Sequence, residues 1–145
     1  ALAGVSQVAI SDGPKWVEGQ PEESMFSLYS TSIAGVFGAI VNTTDVEGIL
    51  MLDCNATDFY ASYNYPVFLI YNPYGEARTI SINTGDSSDL FDIVSRTYLA
   101  RNIQNTGVIE IPAGEAVVMV QLPSGTRLKA EGRKIKAGDS VIAYR

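Results

Sequence analysis

From Val67 to Tyr144 the chain is a succession of short apolar or alternating runs, each closed by turn-forming residues. Val67-Phe68-Leu69-Ile70-Tyr71 is a continuous apolar run of strand length, and Asn72-Pro73-Tyr74-Gly75 ends it as a turn. Arg78-Thr79-Ile80-Ser81-Ile82-Asn83 alternates with period two, which points Ile80 and Ile82 to the inner face. These two runs read as an antiparallel hairpin. Gly85-Asp86-Ser87-Ser88 is the next turn. Residues 90–94, 98–100, 108–111 and 116–122 follow as strands, with Pro112-Ala113-Gly114 and Pro123-Ser124-Gly125 as punctuation. A last small hairpin is expected between residues 127–129 and 140–144. Several short strands with turns every 8 to 12 residues predict a mainly β fold, an antiparallel β-sandwich over about residues 65–145.

The first third reads differently. Pro21 suits a first helical position, and Glu22 and Glu23 suit a first turn. Met25, Leu28, Tyr29, Ile33, Val36, Phe37 and Ile40 then recur at spacings of three and four, the mark of one apolar helical face. A helix from Glu22 to Ile40 is expected, though Gly35 and Gly38 each weaken it by about 1 kcal/mol relative to Ala. The residues before it, from Ser11 to Gln20, form a Gly- and Pro-rich loop holding Trp16. One or two helices are expected over about 20–50. Residues 49–53 fit either a short buried strand or a helical turn. The expected organisation is a helical lead-in over 1–50 and a sandwich domain over 51–145. Ala1 in place of a starting Met suggests a processed chain or a piece of a longer one.

Much familiar chemistry lacks its residues. The chain has no histidine, so neither a Ser-His-Asp nor a Cys-His arrangement can be built. Its single cysteine, Cys54, follows the apolar run from Leu50 and reads as a small core thiol. No phosphate-cradling or dinucleotide-binding glycine pattern occurs. No cofactor and no metal site are expected. A net charge of −6, with one basic cluster from Arg127 to Lys136, argues against a nucleic-acid partner. No apolar stretch reaches the roughly 20 residues of a membrane helix, so no membrane partner is expected.

Paired carboxylates could in principle serve glycoside hydrolysis. Asp12, Glu18, Glu22, Glu23, Asp45, Asp53 and Asp58 each have a plainer reading as a turn, cap or first-turn residue. Asp86, Asp89 and Asp92 suggest an oxygen cluster for calcium, but they do not match the EF-hand loop and a solvated turn explains them. Asn42 and Asn55 fit the N-x-[ST] acceptor pattern and also read as ordinary polar turns. No catalytic residue is assigned.

Aromatic residues crowd residues 59–74: Phe59, Tyr60, Tyr63, Tyr65, Phe68, Tyr71 and Tyr74. A tyrosine offers a flat apolar face with a polar tip, on which a sugar ring can stack. The same residues would equally fill a seam against a neighbouring domain. Trp16, Asp12, Tyr63, Tyr65 and Tyr74 are the candidate carbohydrate contacts.

Three segments carry a family resemblance: Tyr65 through Tyr74, Asp89-Leu90-Phe91-Asp92-Ile93-Val94, and Ile109 through Val120 leading into Leu122-Pro123-Ser124-Gly125. Residues 65–145 resemble the small C-terminal β-domain of bacterial carbohydrate-active enzymes, in many of which an (α/α) toroid carries the active site. The resemblance implies that the Glu22 to Ile40 helix is the last helix of such a toroid. It also implies a partner, a helical catalytic domain or separate chain, packed on that helix face. The chain would then be a non-catalytic accessory domain of a glycoside hydrolase or polysaccharide lyase. The alternatives are a free-standing carbohydrate-binding module, with a polysaccharide as ligand, and a protein-interaction subunit.

Overall fold

In the computed structural model, residue 18 and residues 37–56 and 65–144 are described. The chain divides into two compact units, Ala1–Ile40 and Val41–Arg145. In the first, residues 37–40 are helical; the rest of the expected Glu22 helix lies outside the described residues, as do Asp12, Trp16 and Tyr63.

Among its described residues the second unit holds eleven antiparallel strands: β1 (Val41–Thr43), β2 (Leu50–Asp53), β3 (Val67–Tyr71), β4 (Arg78–Asn83), β5 (Ser88–Asp92), β6 (Thr97–Ile103), β7 (Thr106–Ile111), β8 (Ala116–Pro123), β9 (Leu128–Glu131), β10 (Lys134–Ala137) and β11 (Ser140–Tyr144). The expected mainly β, antiparallel sandwich is therefore what forms. The helical lead-in ends sooner than residue 50, because β1 and β2 pair with one another from Val41↔Leu52 to Thr43↔Leu50. Of the two readings of residues 49–53, the strand is observed.

A six-stranded sheet in the order β1-β2-β3-β8-β5-β6 forms the middle of the unit. Its strand β8 is apolar on both faces, as expected of a strand covered from two sides. Val117 and Met119 point one way, and Val120 and Leu122 the other. On the first side the two-stranded sheet β4-β7 supplies Ile80, Ile82, Ile109 and Ile111, which close over Ile70, Leu90, Val117 and Met119. Fully burying each such side chain stabilises the fold by about 1.5–3 kcal/mol. On the second side the sheet β11-β10-β9 brings Ala137, Leu128 and Ile142 against Phe91, Val120 and Leu122.

Two pairings differ from expectation. β3 and β4 do not form a hairpin: β3 pairs with β2 and β8, and β4 pairs with β7 in full register from Arg78↔Ile111 to Asn83↔Thr106. The buried Asn72 side chain explains the redirection. Its amide donates to the carbonyls of Glu76, Ile111 and Pro112 at 2.9–3.0 Å, and its oxygen accepts from Tyr74 N–H at 3.0 Å. It thereby ties the turn after β3 to the end of β7, on the opposite sheet. The terminal hairpin is likewise corrected, because β10 lies between β9 and β11 and pairs with both.

Candidate functional site

The acidic residues of β5 are the first test of any chemistry. Ser88–Asp92 is buried at every position, including Asp89 and Asp92. Asp89 accepts from the main-chain N–H of Asn102 at 2.7 Å and of Gly125 at 3.1 Å, with the Ser124 hydroxyl at 3.4 Å and Arg101 Nε at 3.7 Å. Asp92 accepts from Val94, Ser95 and Val118 N–H at 3.1, 2.9 and 3.0 Å. Burial pushes both carboxyls up, but these donors outweigh it and hold both below the ordinary aspartate value. Two of the three residues expected in a solvated turn are thus buried latches for main-chain amides, and only Asp86 is exposed. Among the described residues no group of three His, Cys, Asp or Glu side chains could hold a metal ion.

Cys54 corrects a second expectation. It is exposed rather than in the core, with its thiol 3.7 Å from the Leu52 carbonyl. Alternation along β2 explains it: Met51 packs against the core, so Leu52 and Cys54 take the other face. Partial burial of the sulfur and the Asp53 charge still push the thiol up, against a pull from the Leu69 main chain. Asn55 donates its amide to the Tyr65 carbonyl at 3.0 Å, which fastens the segment before β3.

Of the candidate sugar contacts, Tyr65 and Tyr74 fall among the described residues, and they stand at opposite ends of β3. Tyr74 donates its hydroxyl to the Glu47 carbonyl at 2.5 Å, and the Arg78 guanidinium lies 4.7 Å above its ring. Its face is thereby occupied by a cation. Tyr65 packs beside Val120 and Leu122 and donates to the Ala137 carbonyl at 3.4 Å. It also borders an open groove of about 240 Å³, with Pro66, Asp86, Ser87, Gln121 and Pro123. Gln121 is held there by bonds to the Thr84 carbonyl and the Ser88 hydroxyl at 2.9 and 3.2 Å. An aromatic edge beside hydroxyl, amide and carboxylate groups has the makings of a glycan contact.

Sequence reasoning missed an exposed apolar stretch on the second face of the large sheet. Ile70 packs under the β4–β7 layer, so Leu69 and Tyr71 lie on the sheet's other face, the one that carries Val67, Val120 and Leu122 further along. In register beside them lie two rows, Val41, Leu52, Leu69 and Val118, then Thr43, Leu50, Tyr71 and Ala116. Leu50 and Tyr71 are direct cross-strand neighbours, 43% and 52% exposed. The period-two pattern of residues 50–53 held the signal, but only the pairing of β2 with β3 turns single apolar residues into a surface.

No family model matches the chain, and no curated protein matches it. Two solved structures are similar to it in part. One is α-galactosidase I from Mortierella vinacea, at 16% identity and a TM-score of 0.41, covering 55% of this chain and 22% of that one. The other is AmyP E221Q in complex with maltotriose, at 11% identity and a TM-score of 0.41, covering 77% of this chain and 23% of that one. Both are carbohydrate-active enzymes, and the chain spans less than a quarter of either.

Proposed function

We propose that this chain is the non-catalytic β-sandwich accessory domain of a bacterial glycan-degrading enzyme, a glycoside hydrolase or polysaccharide lyase, and that it braces the catalytic domain. The observation that carries this reading is the Leu50–Tyr71 pair, exposed in apolar rows on the sheet face opposite the β4–β7 layer. A contiguous apolar patch of this kind marks an interaction surface. Two further facts support it. The buried carboxylates Asp89 and Asp92 are committed to main-chain amides, and the chain has no histidine to act as a base. In this reading a helical catalytic domain also packs on the Glu22 to Ile40 face, and Trp16, Asp12, Tyr63, Tyr65 and Tyr74 remain the candidate glycan contacts.

Light scattering and apolar-dye uptake by the purified 145-residue chain test the reading. The wild type should self-associate and take up dye through the uncovered face. The double variant Leu50→Asp, Tyr71→Asp should stay monomeric and dye-free with an unchanged far-ultraviolet spectrum. A wild-type chain that is monomeric and takes up no dye would overturn it.

A further inference from the structure

The small sheet β11-β10-β9 has two unlike faces. Leu128, Ala137 and Ile142 turn inward onto Phe91, Val120 and Leu122. Alternation then puts Lys129 and Glu131 of β9, and Lys134 and Lys136 of β10, on the outer face. The register sets them in two rows across the strands: Lys129, Lys136 and Val141 in one, Glu131, Lys134 and Tyr144 in the other. A bond of 2.6 Å joins Glu131 to Lys136 diagonally between the rows, which requires both to stand on one face. Val141 stays opposite Lys136 because the β10–β11 register shifts there, which leaves Ile142 on the inner side.

This face gathers the charge that the chain as a whole lacks. Arg127, Lys129, Arg133, Lys134 and Lys136 are five of its ten Lys and Arg residues, against a net charge of −6. Lys129 and Lys136 are direct cross-strand neighbours, and like charges in that position cost stability. Glu131 offsets Lys136, and among the described residues no carboxylate forms an ion pair with Lys129 or Lys134. The third strand of each row is apolar: Tyr144 is 69% exposed and Val141 38%. An exposed tyrosine ring thus lies alongside cations that the fold itself leaves without a counter-charge.

We propose that the outer face of the β9–β11 sheet binds an acidic polysaccharide, with uronate carboxylates on Lys129 and Lys134 and a sugar ring on Tyr144. The inference rests on the glycan reading above and names the ligand class. Cross-strand neighbours stand roughly 5 Å apart, and alternate residues of one strand roughly 7 Å. The lysines therefore form a grid of cations rather than one contact. An ammonium is a point charge on a flexible stem, so it takes carboxylates from many directions. An open sheet face admits a polymer without enclosing its ends. Tyr144 adds a flat apolar face for sugar C–H groups, which a bare cluster of cations lacks. Nucleic acid, with one charge per about 1.7 Å of duplex, meets stronger repulsion from the acidic remainder of the chain than a polymer with one charge per sugar ring.

Affinity electrophoresis of the 145-residue chain tests this, in gels holding polygalacturonate, soluble amylose, polyglutamate or oligothymidylate, each read against a polymer-free gel. Polygalacturonate should shift the chain's mobility most, less so as salt rises, and amylose should not shift it. The double variant Lys129→Gln, Lys134→Gln should bind polygalacturonate about tenfold more weakly, with an unchanged melting temperature. Tyr144→Ser, which leaves every charge in place, should weaken it about threefold. Wild-type binding by either variant would overturn the proposal. So would equal binding of polyglutamate or oligothymidylate, which would make the occupant an acidic peptide or a nucleic acid. Binding of amylose alone, or of no polymer, would overturn it too. None of these results touches the Leu50–Tyr71 face, which its own dye and scattering test decides.

Discussion

The Asp89 carboxylate takes the Asn102 main-chain N–H at 2.7 Å, at the point where the β5–β6 ladder slips register. Asn102 has a φ of 54°, so the ladder geometry is broken there and its amide needs a partner. Asp89 fills that gap and holds Gly125 after β8 with its other oxygen. Asp89→Ala strands both amides. We expect a loss of about 2–4 kcal/mol, read as a lower urea midpoint with an unchanged slope.

Asp92, like Asp89, should make the fold sensitive to acid. Its folded carboxyl lies below the ordinary value of 3.8: burial, which acts to raise it, is outweighed by the Ser95, Val94 and Val118 donors. A depressed folded value means that the stabilisation is complete above the unfolded value and is lost as pH falls through the folded one. Stability should therefore be flat above about pH 5 and drop below about pH 4. Asp92→Asn should lower stability at neutral pH and flatten that acid limb, as followed by melting temperature against pH. An acid limb as steep as the wild type would contradict the assignment.

Asn72 is fully buried, and its amide faces three carbonyl oxygens. Asn72→Ala should cost about 2 kcal/mol or more through orphaned carbonyls. Asn72→Asp should cost more at pH 7, because a carboxylate would oppose acceptors instead of donating to them. Denaturant unfolding of the two variants at pH 7 checks the order.

Gly107 lies under the side chain of Ile103, and an added Cβ would stand 2.6 Å from Ile103 Cγ1. Ile103 is in the core and has little room to move. Gly107→Ala should destabilise by about 1–3 kcal/mol. In a double-mutant cycle, Ile103→Ala should absorb much of that cost, since it removes the atoms in collision. Additive losses would show that the clash is relieved elsewhere.

Strand existence was readable where one face is buried. The alternation of Ile80 and Ile82 and the apolar runs around Ile70 and Val118 each mark a real strand. Partner choice was not readable. The Asn72-Pro73-Tyr74-Gly75 turn looks like a hairpin loop, yet the Asn72 amide reaches across to Ile111, 39 positions away, and β4 joins β7. β10 was hidden because Lys134 and Lys136 surround Ile135, so a charged stretch masked a two-sided strand. The roles of Asp89 and Asp92 left little local trace: the donors at Asn102, Val118 and Gly125 come from distant residues. Of the candidate sugar contacts, Tyr65 and Tyr74 were named from composition, but their separation along β3 and the cation over Tyr74 follow from tertiary packing.

The central claim is that this chain supports glycan degradation without performing it. Incubating the purified chain with neutral and acidic polysaccharides, and following both reducing-end release and unsaturated-product absorbance, tests that most directly. The account predicts neither signal above a protein-free blank. Steady product formation that scales with the concentration of this chain would contradict it.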